Sequence, residues 1–79
     1  MKLVIRYFGA LTDTTSREEE IIQMKEQSTL DDFKSNLERR FPDLADHSII
    51  FFANGKKIES GEELKPKMEI DCMPPFSGG

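Results

Sequence analysis

The chain has 79 residues, enough for one small domain and too few for a dinucleotide-binding fold or a β/α barrel with a deep active site of its own. With 11 Lys and Arg against 15 Asp and Glu, the formal net charge is -4, which argues against nucleic acid and anionic membrane and admits a partner with a basic face. A single cysteine, Cys72, permits no internal disulfide or zinc knuckle, and no apolar run approaches the ~20 residues of a membrane span, so a cytoplasmic location is expected.

Residues Lys2–Phe8 alternate, with Leu3, Ile5 and Tyr7 on one side and Lys2, Val4 and Arg6 on the other, the pattern of a strand with one buried face. Gly9–Arg17, rich in Thr, Asp and Ser, reads as a loop, and Glu18–Lys25 as a second strand centred on Ile21 and Ile22. Thr29 followed by Asp32 resembles a capping box. Leu30, Phe33 and Leu37 then mark one helical face, which Phe41 and Leu44 extend. Asp31 and Asp32 near the start and Arg39 and Arg40 near the end suit the helix dipole, and Pro42 forbids continuation, so a helix is predicted over about 29–40.

Ile49–Ala53 reads as a third strand, and Asn54-Gly55 is a strong signal for a tight hairpin into a short fourth strand, Lys56–Glu59. Met68–Met73 is the last strand, with Met68, Ile70 and Cys72 on one face. The expected core is Leu3, Ile5, Ile22, Leu30, Phe33, Leu37, Ile50, Phe52, Ile70 and Cys72, which places Phe51 on the opposite face of the sheet. The order ββαβ(β)β predicts an α+β domain over 1–73: a mixed sheet of four to five strands on one helix, with the first and last strands parallel and adjacent in the middle.

Residues 74–79 read as a flexible tail. Pro74 and Pro75 favour an extended stem, Phe76 is an aromatic handle, and Ser77, Gly78 and Gly79 are small and uncharged. A terminal Gly-Gly is also what a frayed end or an expression scar looks like. Its chemical alternative is a deliverable carboxylate on a slender segment able to pass through a narrow channel. Such a carboxylate must be activated, most simply as an acyl-adenylate. The chain has no phosphate-binding loop, so a partner would hold the nucleotide. The apolar run around Phe51, together with Val4 or Phe8, is either covered by a loop or forms a docking patch. Cys72 points into the core by alternation, where a thiol is inert, and His47 reads as a solvated loop residue.

The opening KLVIRYFG, the segment FFANGKKI and the closing PPFSGG resemble the ubiquitin-like β-grasp sulfur carriers, most closely the MoaD-like small subunits of molybdopterin synthase, over essentially the whole chain. The resemblance implies that Gly79 is adenylated by a MoeB-like activating enzyme using ATP and converted to a thiocarboxylate. It further implies that Pro74, Pro75, Phe76, Ser77 and Gly78 enter a MoaE-like large subunit, which supplies the active site where sulfur is donated to the pterin precursor of molybdopterin. The chain would then be a non-catalytic carrier subunit that binds no cofactor or metal itself. Where such relatives often carry Arg and Glu after the Tyr-Phe pair, this chain has Gly9, Ala10, Leu11, Thr12 and Asp13, and Pro66-Lys67 replaces a frequent Gly-Asp turn. The alternatives are a carrier for thiamine, tungsten cofactor or cysteine, a protein modifier joined to lysines through Gly79, and a binding module whose tail is incidental.

Overall fold

A computed structural model describes residues 1–75. The elements are β1 (Lys2–Tyr7), α1 (Ala10–Thr15), β2 (Glu19–Gln23), α2 (Leu30–Arg40), a 3-10 helix (Pro42–Asp46), β3 (Ile50–Ala53), β4 (Lys56–Lys57) and β5 (Glu69–Met73). The five strands form one mixed sheet in the order β2-β1-β5-β3-β4. β1 and β5 are parallel and occupy the interior of the sheet, as expected, while β2 and β3 flank them antiparallel. This is the predicted α+β grasp: a sheet laid across α2.

Helix α2 starts where the capping box predicted. Thr29 accepts the Asp32 backbone N–H, and the Asp32 carboxylate accepts the Thr29 N–H at 2.9 Å. Asp31 reaches across to accept from Ser60 Oγ and Gly61 N, both at 2.9 Å, which ties the loop before β5 to the start of the helix. Leu30, Phe33 and Leu37 are buried as expected, against Leu3, Ile5, Ile22, Ile70 and Cys72.

The structure corrects the sequence reading in three places. Gly9–Arg17 is not all loop: it contains α1, which sinks Leu11 into the core while the Thr15 hydroxyl bonds back to the Leu11 carbonyl at 2.9 Å. Leu44 is buried from the 3-10 helix that follows Pro42, not from an extension of α2.

The third correction inverts β3. Phe51, expected on the outer face, is 3% exposed and packs under α2, whereas Ile50 and Phe52, expected in the core, are half-buried on the outer face. The hairpin geometry decides the parity. Asn54 and Gly55 have φ of 53° and 76°, the two-residue turn that pairs Ala53 with Lys56 and Phe52 with Lys57. Phe52 therefore shares the solvent side with a lysine. Phe51 accepts the Ile58 N–H at 2.8 Å, faces Cys72 across β5, and both of those residues are buried.

Candidate functional site

The helix covers one face of the sheet, and β1, β5 and β3 form the centre of the other face. Across β1, β5 and β3 the register aligns Arg6 with Asp71 and Asp71 with Phe52. One row nearer the end of β5, Met73 lies opposite Ile50. The Phe8 N–H donates to the Cys72 carbonyl at 3.1 Å, which carries the parallel register on and sets Phe8 alongside Met73. The result is an apolar row, Phe8, Met73 and Ile50, immediately beside the point where the chain leaves the sheet at Pro74. Val4 lies on the same face two residues before Arg6, next to Ile21, which is 66% exposed.

The middle row is charged. Arg6 Nη1 lies 2.6 Å from Glu69 and 3.7 Å from Asp71 Oδ1, and its Nε is 3.9 Å from Glu19. One guanidinium thus faces three carboxylates, and the patch is net negative. The hydrogen bond that Arg6 donates to Glu69, then the Glu69 charge, hold the guanidinium more firmly protonated than an isolated one. Asp71 Oδ1 is buried and has no hydrogen-bond partner.

Of the expected docking residues, Val4 and Phe8 lie on this open face and Phe51 does not. Ile50, Phe52 and Met73 take its place. Counting outward from Asn54-Gly55 would have found Ile50 and Phe52, because that count pairs Phe51 with Ile58, the one apolar residue of Lys56–Glu59.

Pro74 is half-buried and Pro75 exposed at the root of the tail. The expected roles of Phe76, Ser77, Gly78 and Gly79 lie outside the described residues. Cys72, three residues from Pro75, is fully buried, and burial, with the Asp71 and Glu20 charges behind it, pushes its thiol well above the ordinary range. It is held as an unreactive thiol, as the alternation implied. Among the described residues no group of three or more His, Cys, Asp or Glu side chains is placed to hold a metal ion, and no helix is long and apolar enough to cross a membrane.

A second polar cluster lies on the helix-covered face, at the end of β1, where Tyr7 pairs with Cys72. Glu20, whose side chain is 9% exposed, accepts from the Tyr7 hydroxyl, from Arg40 at 2.5 Å and from Arg17 at 3.1 Å. Both arginines lie over the Phe41 ring, at 5.5 Å and 4.9 Å from its centre. Burial alone would raise the Glu20 carboxyl. The Tyr7 and Arg40 hydrogen bonds and the two guanidinium charges outweigh it and hold the group below its ordinary value. This cluster joins β1, β2 and the end of α2, so its role is to fix the sheet against the helix.

The model of the ThiS family matches residues 5–79. Among solved structures, a Pyrococcus furiosus protein described as subunit 1 of a molybdopterin converting factor superposes with a TM-score of 0.90 at 20% identity, covering 96% of this chain and 99% of that one. SAMP1 from Haloferax volcanii gives 0.83 at 22% identity over the full length of both chains. A chain from the Helicobacter pylori complex of subunits 1 and 2 of molybdopterin-converting factor gives 0.70 at 22% identity, again over the full length of both. At these identities the structures establish a shared β-grasp fold.

Proposed function

The chain belongs to the ThiS family of ubiquitin-like β-grasp sulfur carriers, and from that premise we propose that Gly79 carries sulfur as a thiocarboxylate for molybdopterin synthesis. The observation that carries the reading is the junction of β5 with the tail. An interior strand of a braced sheet runs into Pro74-Pro75 beside the apolar row Phe8, Met73 and Ile50. Such a junction holds the root of the tail on a rigid base next to a surface that a partner can grip.

The chemistry follows from the carboxylate. A Gly79 carboxylate oxygen attacks the α-phosphorus of ATP in an activating enzyme of the MoeB type, releasing pyrophosphate. Hydrosulfide attacks the acyl carbon and displaces AMP, leaving the thiocarboxylate. The tail from Pro74 to Gly79 then enters a large subunit of the MoaE type, where the thiocarboxylate sulfur attacks a carbon of the pterin precursor and displaces an oxygen leaving group, and water then cleaves the acyl–sulfur bond to return the carboxylate. This chain contributes the carried group, the stem and the docking face, and the partners contribute the nucleotide site and the acceptor site. The net negative row around Arg6 favours a basic surface on those partners.

The likeness to SAMP1 supports a second reading, in which a lysine amine attacks the same adenylate and forms an isopeptide bond. The two readings separate when thiocarboxylated chain is mixed with the large synthase subunit and pterin precursor. Conversion of the precursor with loss of one sulfur per Gly79 supports the carrier reading. Absence of conversion, with conjugates on lysines in the native cell, would replace it with the modifier reading.

A further inference from the structure

The turn that ends β1 touches the residue that begins the tail. Gly9 has φ 59° and ψ -138°, a backbone conformation open essentially to glycine alone. A Cβ at this position would lie 3.1 Å from Pro74 Cγ and 3.7 Å from its Cδ, the first well inside normal carbon–carbon contact. Gly55 and Gly61 also have positive φ, but a Cβ on either would meet nothing within 4 Å. Gly9 alone of the three needs glycine for both conformation and space.

Hydrogen bonding gives the contact a direction. The parallel ladder runs through Val4 N–H to Met68 O at 3.0 Å and Phe8 N–H to Cys72 O at 3.1 Å. The next donor in that pattern is residue 74, and its acceptor is the Phe8 carbonyl. Pro74 has no N–H to give, so the ladder stops. The Phe8 carbonyl instead accepts the Leu11 N–H at 3.1 Å and the Gly9 carbonyl accepts the Thr12 N–H at 3.1 Å, which opens α1. The chain of β1 therefore folds away from β5 at the residue where β5 loses its donor, and the Pro74 ring rests against the bare backbone of Gly9.

We propose that Gly9 is a positioning residue whose backbone seats Pro74 and so sets the direction in which the chain leaves β5. The proposal rests on the carrier reading for its purpose, since a carboxylate delivered into another protein's channel must start from a fixed root. Gly9 touches no reacting atom and acts through Pro74.

The test uses the full chain, native and as Gly9→Ala, Pro74→Ala and Gly55→Ala. One-bond Cα–Hα residual dipolar couplings report the orientation of residues 74 and 75. Steady-state adenylation by the activating enzyme reports delivery of the carboxylate. Gly55→Ala imposes a positive-φ penalty with no contact and controls for a merely structural effect. Gly9→Ala and Pro74→Ala are expected to change the couplings at 74 and 75 and leave those of β1 and β5 in place. They are expected to lower kcat for adenylation roughly tenfold or more, in line with the cost of misplacing a reacting group, with KM within about twofold because the docking face is intact. Gly55→Ala should alter neither readout. Unchanged couplings in both variants, or an unchanged kcat alongside changed couplings, would overturn the proposal. If Gly9→Ala does not fold, Pro74→Ala alone decides. If the native chain is never adenylated, the carrier reading fails, and the couplings still decide whether the seat directs the tail.

Discussion

Phe33 of α2 meets Phe51 of β3 edge-on, with ring centroids 5.7 Å apart and planes at 76°. This pair closes the core between the helix and the half of the sheet beyond β5. Phe51→Ala should therefore cost about 3–5 kcal/mol, a large share of the roughly 4–12 kcal/mol expected for a chain of this size. Urea unfolding checks it, and a variant with native stability would return Phe51 to the surface.

Phe52 lies one residue along, on the open face. Phe52→Ser should lose less stability than Phe51→Ala and should weaken binding to the large subunit roughly tenfold or more, as removal of an apolar interface anchor does. Calorimetric titration measures the affinity. The same titration at rising salt should show further weakening, because the Arg6, Glu19, Glu69 and Asp71 row is exposed enough to be screened over about 8 Å at physiological ionic strength.

These two phenylalanines also mark how far the residues alone could be read. The helix, its capping box and the hairpin turn follow from local rules that admit one answer each, and the parallel interior pair follows from the order of the elements. Ile49–Ala53 does not, because five apolar residues in succession carry no alternation, and the parity must come from pairing with β4 and β5. Helix α1 is hidden for a different reason. Its six residues bury only Leu11 and Thr15, too short a stretch for a helical period to emerge from the surrounding Thr and Asp. The Gly9–Pro74 contact joins residues far apart in sequence and has no local signature at all.

Lys67 stands where a turn asks for glycine. It has φ 64° directly after Pro66, and the Met68 N–H closes the turn on the Lys65 carbonyl at 3.2 Å. Lys67→Gly should relieve a left-handed backbone penalty of roughly 1–2 kcal/mol, partly offset by the freedom glycine gives the unfolded chain. A net gain of about 0.5–1 kcal/mol in thermal or urea unfolding is expected. A loss would mean that the lysine side chain supports the turn.

Glu20 should shape the acid limb of stability. Its folded carboxyl is held below the ordinary 4.5, so its contribution is fully present above that value and is lost as pH falls through the lower folded value. Glu20→Gln should lower stability at neutral pH by roughly 1–3 kcal/mol. It should also flatten the fall in stability below about pH 4.5. Parallel urea titrations across that window check the sign. An unaltered acid limb would show that Tyr7, Arg17 and Arg40 do not act through this carboxylate.

The most direct test of the carrier claim is the intact mass of the chain after incubation with the activating enzyme, ATP and a sulfur source, compared with a chain lacking Gly79. The full chain should gain the mass of one oxygen-to-sulfur exchange, localised to Gly79 by fragmentation. The shortened chain should keep its stability and gain nothing, since the acyl carbon would sit out of register with the enzyme's catalytic groups. Sulfur on the shortened chain, or on Cys72 of the full one, would contradict the account.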